Sequence, residues 1–427
     1  MFSQGGLSLE QAPPISVVLR FFVTASVFGL LLGFFLIADS LGMASFLTAN
    51  KSVIIVHILA LGVMASFMLG ALFQMLPVLA GVVIKMPTKK AMIVHTLFVI
   101  GVLTQLSAFI DSSTPLLYFL ASAYLGVGLL YGLYLMLKEL IKIKDHSSSS
   151  KGIIFSLVSF SFAIFLGIYL LLTLGTYIDG TLFTQVKEAH YSFALFAWVS
   201  LLIISVSFQV IEMFYVTPKY PSIMSKYLTL TIFILVILKS IAIFMLVETE
   251  FITALLAILF MLYAGITIHR LYHRKRPTSD ATVWFWRLGM GLLIVSMFIT
   301  LINVFIDVNV EVKMLSYITF MGFALSIVFA MVYKIVPFLT WFHLSNQGYM
   351  EAPMMHDVIH PKKVKKQFYI HVAMLIILFS SLFINYFILN LLSGILVLVS
   401  FGWLFYNLLY AIKKYQYTQK YTKKIEW

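Results

Sequence analysis

The residues best placed to do chemistry in this sequence are three polar side chains, each standing at the head of a similar apolar stretch. His57 opens HILALGVMASFMLGALFQMLP, His190 opens HYSFALFAWVSLLIISVSFQVIE, and Tyr317 opens YITFMGFALSIVFAMVYKIVP. The interval from His57 to Pro77 equals that from Tyr317 to Pro337, while His190 to Glu212 is two residues longer. Gln74, Gln209 and Lys334 share the position three residues before Pro77, Glu212 and Pro337. An ionisable residue inside an apolar segment is costly without a partner, so it marks a functional hypothesis. A neutral imidazole can offer a lone pair to a metal, or it can hydrogen-bond across a helix interface. After His57 the small residues Gly62, Ala65, Ser66, Gly70 and Ala71 recur at helical spacing, which lets a neighbouring helix or a flat ligand approach the backbone.

The elements that must carry these residues are transmembrane helices. Apolar runs of about 20 residues or more recur at 15–38, 52–84, 90–110, 115–138, 152–176, 185–214, 222–247, 250–270, 281–307, 312–340, 367–387 and 389–412. His57, His190 and Tyr317 head the second, sixth and tenth of these, four spans apart. That spacing predicts an internal repeat of a four-helix unit, roughly 15–138, 152–270 and 281–412, within one integral membrane domain, 1–427. The fold class is therefore all-α: twelve transmembrane helices with pseudo-threefold symmetry. Hydrophobic residues make up 62% of the chain and charged ones 11%, far from soluble averages. The absence of cysteine excludes disulfides and thiolate metal sites.

The formal charge of +13 is not a nucleic-acid signal, because it is spread over short loops. Basic residues follow the even-numbered spans, from Lys85 and Lys89 to the tail beginning at Lys413. Acidic residues such as Asp39, Asp111, Asp179, Glu248 and Asp307 occupy the opposite loops. By the positive-inside rule both termini are cytoplasmic, in a bacterial-type cytoplasmic membrane. The N-terminal segment lacks a basic region followed by a cleavage site, so no removable signal peptide is expected. In this orientation His57, His190 and Tyr317 lie in the outer leaflet, with Gln74, Glu212 and Lys334 near the inner edge. The bilayer is the one partner that follows directly; the oligomeric state is left open.

His190, near the outer interface beside Lys187 and Glu188, is either a ligand or an interfacial residue facing water, and other residues likewise admit two readings each. Lys239 lies in the outer half of span seven, about 13 Å along the helix from Glu248; it either belongs to a site or snorkels towards Glu248 and Glu250. Glu212 and Lys334 suit the start of a proton path, or else serve with Gln74 and Gln209 as polar anchors at helix ends. His343, His356 and His360 in the loop 341–367 suggest metal ligands less readily than a solvated basic loop. Trp284, Trp286 and Arg287 read as an interfacial anchor.

The segment from His57 to Pro77 resembles the heme-ligating helices of subunit I of the heme–copper oxidase superfamily, especially its C-type oxidases and nitric oxide reductases. Tyr317 to Pro337, with Gly322 at the offset of Gly62, resembles that family's tenth helix. The likeness in topology covers nearly the whole chain; the likeness in sequence is confined to these helices. It implies a b-type heme with His57 as axial ligand, and His190, Tyr317 and Lys239 as further cofactor-binding residues, Lys239 by neutralising a propionate. The departures restrict the chemistry. Tyr317 and Leu315 stand where the family places two histidines, residues 222–247 hold no copper-ligating histidine, and NYFILN lacks the arginine pair that clamps propionates. The resemblance thus implies a protein without an oxygen-reducing copper centre, serving respiratory electron transfer with a cytochrome or quinol donor, gas (nitric oxide or oxygen) response, or an accessory role. The rivals from other classes are a transporter or channel using Lys239 and Glu212, and a cofactor-free assembly factor.

Overall fold

In a computed structural model the structure describes residues 13–44, 47, 50–276 and 280–424. Twelve of its helices are long and apolar enough to cross a membrane, the architecture of a multi-pass membrane protein. They are Ile15–Ser40, Lys51–Val78, Pro87–Ile110, Pro115–Leu140, Ser148–Leu174, Phe183–Tyr215, Ser222–Phe244, Glu250–Tyr272, Ala281–Phe305, Val310–Asn346, Pro361–Phe383 and Phe387–Tyr421. Among the described residues no strand forms, and the single β-bridge joins Tyr349 to Lys424.

The punctuation of the helices is local chemistry. Proline opens the fourth and eleventh spans at Pro115 and Pro361, where its missing N–H would have had no partner in any case. Ser147 caps the fifth span, its Oγ accepting from the Ser150 N–H at 3.1 Å. His360 caps the eleventh, its Nδ1 accepting from the Lys362 N–H at 3.2 Å. The second span, expected to reach residue 84, stops at Ala80, because Gly81 turns into the left-handed region at φ +64°.

Two helices run past their expected ends. The tenth continues from the apolar stretch to Asn346, with Phe342 and Leu344 buried, and the twelfth continues to Tyr421. Their extensions hold each other: Gln347 Nε2 donates to Tyr415 Oη at 2.8 Å, and Gln419 Nε2 donates to Gln347 Oε1 at 2.9 Å. Side-chain amides and a phenol extend the pairing beyond the reach of apolar packing. Hydropathy alone ends a helix where its apolar residues end, which is why both extensions escape it.

The chain forms two compact units. Among the described residues the first comprises 73–276 and 290–324, and the second comprises 13–44, 47, 50–72, 280–289 and 325–424. In the second unit the first and last spans pack backbone to backbone. A Cβ on Gly33 would fall 2.7 Å from the Leu398 nitrogen, and one on Gly394 would fall 2.8 Å from the Ile37 nitrogen. Between helices in lipid, such close approach replaces the hydrophobic drive that water would supply. A buried polar chain also crosses this unit. Asn407 Nδ2 donates to Tyr333 Oη at 3.0 Å, Tyr333 donates to Gln367 Oε1 at 3.0 Å, and Gln367 Nε2 donates to Ser400 Oγ at 2.9 Å. One turn further along the same helix, His371 Nε2 and Ser326 Oγ lie 2.8 Å apart.

Candidate functional site

His57 and His190 have the same backbone setting. Each stands at the end of an α-helical segment, Lys51–His57 in one case and Phe183–Tyr191 in the other. Each is followed by an eight-residue π-helix, Ile58–Ala65 and Ser192–Val199 respectively. A π segment shifts backbone hydrogen bonds from four residues to five, and such insertions gather at functional sites. The tenth span, headed by Tyr317, is α-helical throughout Val310–Asn346.

The two imidazoles are also held in the same way. His57 Nδ1 lies 2.8 Å from the Val53 carbonyl, and His190 Nδ1 lies 2.8 Å from the Ala163 carbonyl on the fifth span. A carbonyl only accepts, so Nδ1 carries the proton, and in the neutral ring Nε2 keeps its lone pair. This is the arrangement that fixes the tautomer of metal-ligating histidines. His190 is further seated in a notch: a Cβ on Gly167 would come within 3.0 Å of its Cε1. His57 belongs to the second compact unit and His190 to the first.

Around Glu188, two residues before His190, the first unit gathers several other polar groups. Tyr191 hydrogen-bonds Glu188, and Glu188 also acts on Tyr317 from the tenth span and Lys239 from the seventh. Lys239 is 5% exposed, its Nζ donates to Thr253 Oγ1 at 2.8 Å, and Glu250 adds a second favourable charge. A buried ammonium needs nearby carboxylates and a good acceptor, and it has both here. Tyr317 itself is 53% exposed, so its ring faces outwards rather than into a pocket. Glu188 was legible in the sequence only as a carboxylate beside His190; the convergence of three helices upon it was not.

The polar residues at the other ends of these helices serve the fold. Lys334 forms an ion pair with Asp280, whose other oxygen Oδ1 accepts from the Thr282 and Val283 N–H groups at 3.0 and 3.3 Å and so caps the ninth span. Burial pushes the Asp280 carboxyl up, but the Lys334 charge and these hydrogen bonds outweigh it and hold it below the usual value. Glu212 Oε1 accepts from the Tyr220 N–H at 3.2 Å, fastening the turn that follows the sixth span. Tyr220 lies beneath that turn, and burial pushes its phenol up to about 12. Gln74 is no interfacial anchor: it is 2% exposed, and neither of its amide atoms has a hydrogen-bond partner among the described residues. His343 lies within the tenth helix, His356 lies 3.6 Å from Asp357, and His360 is the cap noted above. Among the described residues no three His, Asp or Glu side chains converge as a metal site.

The small-residue stripe after His57 is closed. A Cβ on Gly62 would strike the Phe28 ring at 2.6 Å, and one on Gly70 would strike Phe21 at 2.8 Å, so the first span fills the expected gap. The donor chemistry of His57 fits an axial heme ligand, whereas the Gly62–Gly70 face has no room for a macrocycle. The open face of this helix lies elsewhere, where Val53 and Val56 are 36% and 52% exposed beside His57. Comparison with protein-family models returns no match, and comparison with curated proteins returns none either.

Proposed function

We propose that this chain is a heme-binding protein of a bacterial-type cytoplasmic membrane, with both termini cytoplasmic and a pseudo-threefold, heme–copper-oxidase-like bundle. His57 would ligate the iron of a b-type heme. The role is respiratory electron transfer or gas response, with a cytochrome or quinol as the donor in the first case, and without an oxygen-reducing copper centre. The observation that carries this reading is the shared setting of His57 and His190: an imidazole before a π segment, with Nδ1 tied to a carbonyl, so that in the neutral ring the lone pair lies on Nε2. In this reading the Val53 carbonyl orients the His57 ring. The heme would supply a one-electron couple or a gas-binding iron.

The test is an absorption spectrum of protein purified gently from a heme-sufficient host. The wild type should show a Soret band, and His57→Ala should remove it while the protein stays in the membrane. His190→Ala distinguishes two ligands from one, since a low-spin spectrum survives it only if His190 is not an iron ligand. A wild type with no Soret absorbance ends the heme reading.

A second reading rests on the buried Lys239. Its ammonium, held by Thr253 and the Glu188 and Glu250 charges, has the composition of a proton- or ion-coupled relay. Ion flux in proteoliposomes that is lost in Lys239→Met would favour a transporter.

A further inference from the structure

The connection between the second and third spans and the end of the fourth enclose a hollow of about 450 Å³ that none of the readings above uses. Lys85 and Lys90 line one side and Lys138 and Lys142 the other, while Glu139 is the sole acid lining it among the described residues. That carboxylate is already engaged by Lys142, with Nζ at 2.8 and 2.9 Å from its two oxygens. Lys138 donates to the neutral phenol of Tyr134 at 3.0 Å, and the single Glu139 charge is shared among Lys142, Lys138 and Lys90, so the four lysines outnumber their one carboxylate. The hollow is therefore a basic chamber with tyrosine hydroxyls at hand, suited to a phosphate monoanion or diester.

The surface leading from it identifies the source of that phosphate. Val127, Tyr131, Tyr134 and Lys138 follow one another at helical spacing along one face of the fourth span. Val127 is 61% and Tyr134 54% exposed, so an uncovered apolar track runs from the hollow along a membrane-spanning helix. A soluble anion has no use for such a track, whereas the acyl chain of a lipid does. We propose that this hollow binds the headgroup of an anionic phospholipid, with the lysines on the phosphate and an acyl chain along Tyr134, Tyr131 and Val127. Clustered basic residues at the ends of transmembrane helices recognise anionic headgroups by this chemistry.

The experiment uses the full-length protein in neutral detergent, with native mass spectrometry reading the bound lipid. Dioleoyl phosphatidylglycerol is the probe, with dioleoyl phosphatidylcholine and inorganic phosphate as comparators. Wild type should bind the anionic lipid in preference to the zwitterionic one, and millimolar inorganic phosphate should not displace it. Each Lys→Gln change should weaken binding about fivefold, so that the Lys85→Gln, Lys138→Gln pair loses roughly 25-fold. The corresponding Lys→Arg pair should bind as wild type does, because the charge is kept. Lys413→Gln with Lys420→Gln removes equal charge from the twelfth span and should change nothing. Lys85 lies in the connection after the second span and Lys138 in the last turn of the fourth, and melting in neutral detergent checks that each variant is folded; Lys90→Gln with Lys142→Gln replaces any pair that is not. Equal binding of both lipids by wild type, undiminished binding by the hollow variants, or equal loss in the control pair would overturn the proposal. Displacement by inorganic phosphate would reassign the hollow to a soluble anion and overturn the lipid assignment.

Discussion

At the scale of single residues, the chemistry lies in groups whose charge or lone pair is held by a specific neighbour. Lys239 and Glu188 show how unequal two halves of such an arrangement are. Replacing Lys239 by Met removes a buried charge and fills its volume, so stability should change by no more than about 1 kcal/mol in either direction. Replacing Glu188 by Gln leaves the ammonium with less compensation. It should cost about 1–2 kcal/mol, a figure discounted because Glu188 is partly exposed. Thermal unfolding of the two variants in one detergent checks the asymmetry; a larger loss in Lys239→Met than in Glu188→Gln would show that the lysine is not held by this carboxylate. Of these residues the sequence marked Lys239 and His190 by their setting in apolar runs. It did not single out Glu188, whose importance comes from helices far apart in the chain.

At the scale of helices and their junctions, the ninth span depends on Asp280, which caps it and pairs with Lys334. A carboxyl held below its ordinary value stabilises the fold where it is ionised natively but would bind protons when unfolded. The contribution is therefore fully present above roughly pH 4 and disappears as pH falls through the lowered value. Asp280→Asn should cost about 1–2 kcal/mol at neutral pH, with cap and ion pair both weakened and the latter screened because Asp280 is 41% exposed. The difference from wild type should shrink on acidification below that point, as melting curves from pH 7 to pH 3.5 would reveal. A constant difference would mean that the pair is not electrostatic. Helix packing gives a second expectation. Gly33→Leu must push the first span off the twelfth, where a Cβ already meets the Leu398 backbone, and should cost about 2–3 kcal/mol. Gly42→Ala, in open surroundings, tests the other side of the argument: its penalty should come from the φ of +76° alone and stay near 1 kcal/mol.

At the scale of the whole molecule, sidedness is the first thing to measure. The sequence contains no cysteine, so single thiols report without background. Gln416→Cys, exposed on the basic tail, should resist an impermeant maleimide in intact cells, while Ser113→Cys, exposed in an acidic loop, should react. The reverse pattern would invert the orientation drawn from loop charge. The order and number of spans were legible in the sequence because burying about 20 apolar residues is a demand that each segment meets by itself. Where the helices begin and end was read less well: the second span was expected to run through Gly81, whose positive φ ends it, because a local backbone turn leaves no mark in hydropathy. The small-residue stripe was legible as a place of close approach, but not what approaches it. Phe21 and Phe28 come from another helix, and only their packing decided that the stripe holds side chains rather than a flat ligand. The π segments after His57 and His190 have no residue signature, because one shifted hydrogen bond per turn is set by how the neighbouring helices fit. The basic hollow is likewise tertiary, since lysines separated along the chain share one field only after the third and fourth spans have packed together.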